Sequence, residues 1–247
     1  MLKESLNQLM WKRLLMKRKK ELESKGYRII SLEENALLRI QEGKDAFISR
    51  NGNYTKEGVI YLPSKEIYLT KNSPIMKNAK EATECHRNNN EFCLNDKQVS
   101  NAIKKGISVK FPKNENYSIP TGRFGEDAIT DFAFGNIAKD YGLFLKDAGI
   151  KEMPIWFASQ KEKAFARQMW FRRRGSGSRS GLNGNDGNLY CDFSGARGVR
   201  DGIGRTQRCT SAEGAAQKMH SEKQISKALK EMGFSGLEKN LIETLKR

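Results

Sequence analysis

Leucine and methionine recur on a basic background through residues 2–24, where Leu6, Leu9, Met10, Leu14, Leu15 and Leu22 stand among lysines and arginines. That spacing draws an apolar stripe on a positively charged helix, which Lys25 and Gly26 end. Such a helix can pack on its own domain, pair with a partner helix or lie on an anionic surface. A second helix is predicted over residues 32–41, with Ser31 as N-cap, Glu34 in the capping-box position and Gly43 as the stop. The period then shortens to two. Residues 46–49, 58–62 and 66–70 read as short strands separated by Asn-Gly-Asn and Pro-Ser-Lys turns.

Residues 78–87 read as a short helix stopped by Asn88, Asn89 and Asn90, and residues 96–104 as another, with Val99, Ala102 and Ile103 inward and Gly106 closing it. From Pro120 a loop leads into a helix between Gly135 and Gly149, on which Ile137, Tyr141, Phe144 and Leu145 fall at helical spacing. A strand follows over residues 153–158, and Pro154 places its start at a sheet edge. Near the C-terminus, residues 213–232 are predicted helical, with Met219, Ile225, Ala228 and Leu229 as the apolar positions. Gly233 stops that helix, and Ser235 with Glu238 makes a capping box for a last helix over 237–245.

Composition changes this picture at one place. Lys, Glu, Gln, Met and Trp make up about 27% of the 247 residues, yet residues 172–199 contain none of the five. About eight would be expected there from composition alone. Every positively charged residue from Arg167 to Arg208 is Arg, although Lys outnumbers Arg in the whole chain. The five missing types are those that a codon ending in a pyrimidine cannot specify. Mutation of an Asn codon at its first two bases yields Arg, Gly, Ser, Asn, Asp, Tyr, Cys and Phe, the types that fill the stretch. Few apolar side chains remain to be buried, so the stretch reads as surface. A flexible Gly/Ser linker or an Arg/Gly-rich RNA-binding segment has similar composition, but neither needs to be entered through Met169, Trp170 and Phe171 and left through Ala196 to Arg200.

The frame Ala166-Arg167-Gln168-x-Trp170, the scattered Ser, Leu and Gly among Asn-derived residues, and the closing Arg197-Gly198-Val199-Arg200 resemble the C-type-lectin-fold variable proteins of diversity-generating retroelements, particularly the archaeal ones. The resemblance covers residues 55–205. It implies an α+β, C-type-lectin-like domain of the kind shared with the formylglycine-generating enzyme, with a variable region at about 167–200. The remaining chain divides into a basic helical N-terminal extension, 1–54, and a C-terminal helical tail, 206–247. The tail departs from the usual pattern, in which the domain ends at the frame.

The resemblance implies a ligand-binding surface built from Arg172, Arg173, Gly175, Ser176, Ser178, Arg179, Gly181, Asn183, Asn185, Gly187, Asn188, Tyr190, Cys191, Asp192, Phe193 and Ser194. The framework around it is Phe165, Arg167, Trp170, Leu182, Leu189, Arg197, Gly198, Val199 and Arg200, with Trp170 buried at the base of the loops. Arg supplies forked donors, Tyr190 and Phe193 rigid contact area, and Ser and Asn adaptable hydrogen bonding. The implied partner is a macromolecule, in the first place a protein. No catalytic residue, metal or cofactor is implied.

A formal charge of +16 and a pI near 9.7 keep nucleic acid as the alternative partner, with the Arg/Gly loop and the basic N-terminal helix tracking phosphates. A formylglycine-generating activity needs closely placed copper-binding cysteines, whereas Cys191 and Cys209 stand 18 apart. Cys85 and Cys93 are eight apart and can lie near each other, but none of the four cysteines makes a CxxC pair and His86 is far from His220, so no zinc site is predicted. With no apolar run long enough to span a bilayer and no signal-peptide cleavage site, the chain reads as soluble and cytoplasmic; display on a cell or virion surface stays open.

Overall fold

The computed structural model of the chain describes residues 15–175, 179–185 and 195–199. Of the basic N-terminal helix it describes α1 (Leu15–Ser24), ended by Gly26 at φ 73°; the earlier part of that helix lies outside the described residues. After β1 (Arg28–Ile29) comes α2 (Leu32–Glu42), and its capping box is the one read from the sequence. The Ser31 hydroxyl accepts the Glu34 amide at 3.1 Å and the Glu34 carboxylate takes the Ser31 amide at 2.9 Å. Two of the orphan amides of the helix are thereby satisfied.

Residues 46–49, predicted as a strand, are instead part of a helical turn, α3 (Phe47–Arg50). The amides of Ser49 and Arg50 bond back to the Ala46 carbonyl and the Ser49 hydroxyl to the Gly43 carbonyl. Local hydrogen bonds thus win over a period-two pattern only four residues long. The next predicted strands are present as β2 (Asn53–Tyr61) and β3 (Ile67–Thr70), an antiparallel pair with Tyr61 opposite Ile67. Then follow α4 (Pro74–Lys77), α5 (Ala79–Arg87), β4 (Phe92–Cys93), α6 (Asp96–Ala102), β5 (Ser108–Lys110) and β6 (Tyr117–Pro120). The stretch read as loop after Pro120 contains a helix, α7 (Ala128–Phe134), whose first amides the Asp127 carboxylate caps. Beyond it lie α8 (Ala138–Asp147), β7 (Glu152–Trp156), β8 (Phe165–Phe171), β9 (Leu182–Asn183), β10 (Gly195–Ala196) and β11 (Gly198–Val199).

The main sheet runs β5-β3-β2-β8-β9-β7-β6, with β10 paired to β2 and β4 to β8. Strand β7 therefore lies inside the sheet, and Pro154, which was expected at an edge, precedes the two residues that β9 pairs, Ile155 and Trp156. The β2–β8 register shifts between Tyr54 and Gly58. Gln168 closes this bulge by donating from Nε2 to the carbonyls of Thr55 and Glu57.

Side-chain alternation along β8 gives the sheet two apolar faces. Phe165, Met169 and Phe171 join Leu32 and Ala36 of α2, Ala133 and Phe134 of α7 and Tyr141 of α8 in the larger core. Ala166 and Trp170 turn to the other face, with Tyr54, Ile75, Ala82, Phe92 and Ala102. Because α2 fills the larger core and β1 pairs with β11, residues 28–54 are part of the domain, and the boundary expected at 54/55 is not a seam. All described residues belong to one compact unit, Met1–Gly204; the predicted tail helices lie outside them. No described helix is long and apolar enough to cross a membrane.

Candidate functional site

Strand β8 carries the entry to the altered stretch. Phe165 is fully buried and stacks on Tyr61 with ring centres 4.5 Å apart. Arg167 bridges two segments far apart in sequence, donating to Glu91 at 2.6 Å and to the Asn185 carbonyl at 2.7 Å. A framework side chain thus holds the backbone at Asn185. Trp170, expected to be buried, is half-buried: its ring meets Tyr54 edge-on at 4.8 Å and lies over Gly52, where a Cβ would sit 2.5 Å from the indole. Trp170→Ala is expected to cost about 2 kcal/mol, below the range for a fully buried aromatic, and to lower the melting temperature by roughly 4–8 °C. A melt within about one degree of the parent contradicts this packing role.

After Phe171 the chain turns out and back as a hairpin. Its base is closed by the Arg172 amide on the Gly181 carbonyl at 2.9 Å and the Ser180 amide on the Arg173 carbonyl at 3.1 Å. Arg174 ties the hairpin to α3 and to the connection before it: its amide bonds the Ser49 carbonyl, Nε the Lys44 carbonyl, and Nη2 lies 3.3 Å from Asp45. Arg172 places its guanidinium over Trp156, 4.8 Å from the ring centre, and Arg179 pairs with Glu152 at 2.5 Å. Arg173, Arg179 and Asn185 are exposed; Arg172, Arg174 and Gly175 are half-buried.

Between these positions the structure departs from the sequence reading. Residues 180–184 are all buried, so Gly181 and Asn183, assigned to the open surface, form part of an interior spine with Leu182. Gly181 has no room for a side chain, since a Cβ would lie 2.3 Å from Cζ3 of Trp156 and 2.6 Å from the Pro154 carbonyl oxygen. Asn183 accepts the Asn185 amide at 2.8 Å and stands between Trp170 and Trp156 in the strand register. Gly184 faces Tyr61, whose hydroxyl would be 2.7 Å from an added Cβ. Leu182 is fully buried in the larger core, as its framework assignment requires.

The closing frame is stitched to the N-terminal segment. The Arg197 carbonyl accepts the Ile30 amide, its guanidinium lies 5.0 Å from the Phe47 ring centre, Val199 pairs with Arg28, and a Cβ on Gly198 would meet Leu22 and Tyr27 at 2.6 and 2.7 Å. Ser176, Ser178, Gly187, Asn188, Leu189, Tyr190, Cys191, Asp192, Phe193, Ser194 and Arg200 lie outside the described residues. Trp156, Glu152 and Glu91 escaped the sequence reading, because they reach the site only through strand pairing and carry no local signal. Cys85 and Cys93 are free thiols, and burial, then Glu81 and Cys93, push the Cys85 pKa upward.

Among the described residues the site is therefore an arginine-bearing hairpin, Arg172 to Gly175 with Arg179, and the exposed Asn185, separated by the buried residues 180–184. No family model matches the chain. No curated protein matches it. A solved structure described as "Accommodation of massive sequence variation in Nanoarchaeota by the C-type lectin fold" superposes with a TM-score of 0.50 at 12% identity, over 74% of this chain and 90% of that one. The described residues thus form an α+β domain with the C-type lectin fold.

Proposed function

We propose that this chain is a ligand-binding display protein without catalytic activity, whose surface around residues 172–194 is diversified by retroelement mutagenesis of the archaeal type and recognises a protein or other macromolecular target. The observation that carries the reading is the absence of Lys, Glu, Gln, Met and Trp from residues 172–199, where Arg173, Arg179 and Asn185 are exposed on either side of the buried residues 180–184. A fold neighbour whose description concerns massive sequence variation supports it. The described contact groups are the guanidinium groups of Arg172, Arg173 and Arg179 and the amide of Asn185. Guanidinium is chosen over ammonium where forked or stacked contacts matter, and Arg172 on Trp156 is such a stack. Tyr190, Phe193, Asn188 and Asp192 extend the proposed surface.

The net charge of +16 makes nucleic acid the competing partner, and salt separates the two. Phosphate binding weakens steeply with ionic strength, whereas a mixed polar and aromatic surface loses less. Random DNA and RNA at about 0.15 M salt are expected to bind no more tightly than the non-specific range of roughly 10⁻⁴ to 10⁻⁶ M. Nanomolar binding at that salt, abolished when Arg172, Arg173 and Arg174 become Ala, overturns the display reading in favour of nucleic-acid recognition.

A further inference from the structure

One interior side chain reaches the base of the hairpin. Arg39, on the buried face of α2, is fully buried. Its Nη1 donates to the hydroxyls of Tyr141 and Ser180, both at 3.2 Å, and its Cζ lies 3.9 Å from the centre of the Phe171 ring. Among the described residues no carboxylate pairs with it, and its Nε and Nη2 have no hydrogen-bond partner. A guanidinium held this far from water is costly unless its remaining contacts are good ones. Those contacts are two hydroxyls and an aromatic face, which anchor without adding opposite charge.

Ser180 is the unusual partner. It is fully buried within a stretch of surface composition, and it follows Arg179 in a pair of non-glycine residues at φ 43° and 53°. Backbone of that kind costs on the order of 1 kcal/mol per residue and persists only where its surroundings enforce it. At Arg179 the amide on the Gly175 carbonyl and the ion pair with Glu152 hold it; at Ser180 the amide donates to the Arg173 carbonyl and the hydroxyl oxygen accepts from Arg39. Of the side chains a mutated Asn codon can supply, the site needs a small one with an oxygen that accepts.

We propose that Arg39 is a positioning residue for the display surface: it pins Ser180 to the core, so that the stretches before residue 180 and after residue 184 vary in sequence without shifting one another. The purpose given to the pin rests on the display reading, but the pin itself is measurable without it. Position 180 is then a fixed point inside the variable region, and Arg39, far away in sequence, sets how precisely the first loop is held.

Native-state hydrogen exchange on the full chain tests this, followed at the amides of Arg172, Arg179 and Ser180, with β2 and β3 as internal references. Ser180→Ala is expected to speed exchange at those three amides by about tenfold, the loss of one charge-assisted hydrogen bond, with the references unchanged. In an Arg39→Met background the same substitution is expected to add less than about twofold, because contacting residues are not additive. Equal increments in both backgrounds, or a rise shared by β2 and β3, overturn the pin. Ser180→Gly reads the same point with Arg39 intact and serves if Arg39→Met does not fold. Glycine relieves the left-handed backbone but lacks the hydroxyl, so faster exchange supports the pin and parent-level protection overturns it. Neither outcome depends on how the gene acquires its variation.

Discussion

Stability is expected to peak near pH 5 and to fall by about 3 kcal/mol by pH 8, a large share of the 5–15 kcal/mol typical of a folded domain. The cause is Glu57, fully buried in the β2 bulge at the start of α2. Its Oε2 accepts the Leu32 amide at 3.0 Å, and Oε1 lacks a well-formed hydrogen bond among the described residues. Burial pushes its pKa up to about 7, against the opposing effects of Thr55, its own and the Leu32 amides, and Lys56. A carboxyl whose folded pKa exceeds its unfolded value binds its proton more tightly when folded. Its contribution is therefore complete below about pH 4.5 and is lost as the pH rises through 7.

Glu34, on the same helix, works in the other sense. Burial raises its pKa, but hydrogen bonds from Arg28 and from the Ser31 backbone and hydroxyl outweigh that and hold it at about 2. Its contribution is present above about pH 4.5 and is lost as the pH falls through 2. Together the two groups place the maximum near pH 5. Melting curves of the parent and of Glu57→Gln between pH 4 and 9 check this. The parent is expected to lose stability above pH 5 and the variant to stay flat there; a parent that melts alike at pH 5 and pH 8 contradicts the assignment.

Substitutions within the altered stretch are expected to fall into two sharply different groups. Replacing Arg172, Arg173, Arg179 and Asn185 together by other members of the same alphabet is expected to cost only about 0.5 kcal/mol per position, the usual range for surface changes. Gly181→Ser is expected to cost about 3 kcal/mol or more, because the new Cβ meets the Trp156 ring and a backbone carbonyl and neither gives way without repacking. Denaturant unfolding of both variants measures the contrast. A harmless Gly181→Ser, or a quadruple variant that comes out molten, contradicts the division between spine and loops.

The limits of the sequence reading follow from where each signal lies. The α2 capping box was legible because Ser31 and Glu34 satisfy each other within four residues. The hairpin of β2 and β3 was legible because its alternation continues across a short turn. Helix α7 was missed because seven residues between Asp127 and Gly135 give barely two turns of pattern. The spine was misread for a related reason: Gly181 and Asn183 belong to the alphabet of an exposed loop, and only the pairing of β9 with β7 and β8 shows that they are interior. Arg39 illustrates the limit most plainly, since an arginine on an amphipathic helix reads as solvated until Tyr141, Phe171 and Ser180 are brought around it.

Sequencing the DNA that flanks the gene tests the central claim most directly. Diversification by a retroelement predicts a near-copy of the segment encoding residues 167–200, beside a reverse-transcriptase gene. The near-copy should carry adenines where the two differ, and the differences should fall at codons such as those of Arg172, Arg173, Arg179 and Asn185, sparing Ser180, Gly181 and Leu182. Flanking DNA with no such copy and no reverse transcriptase contradicts it.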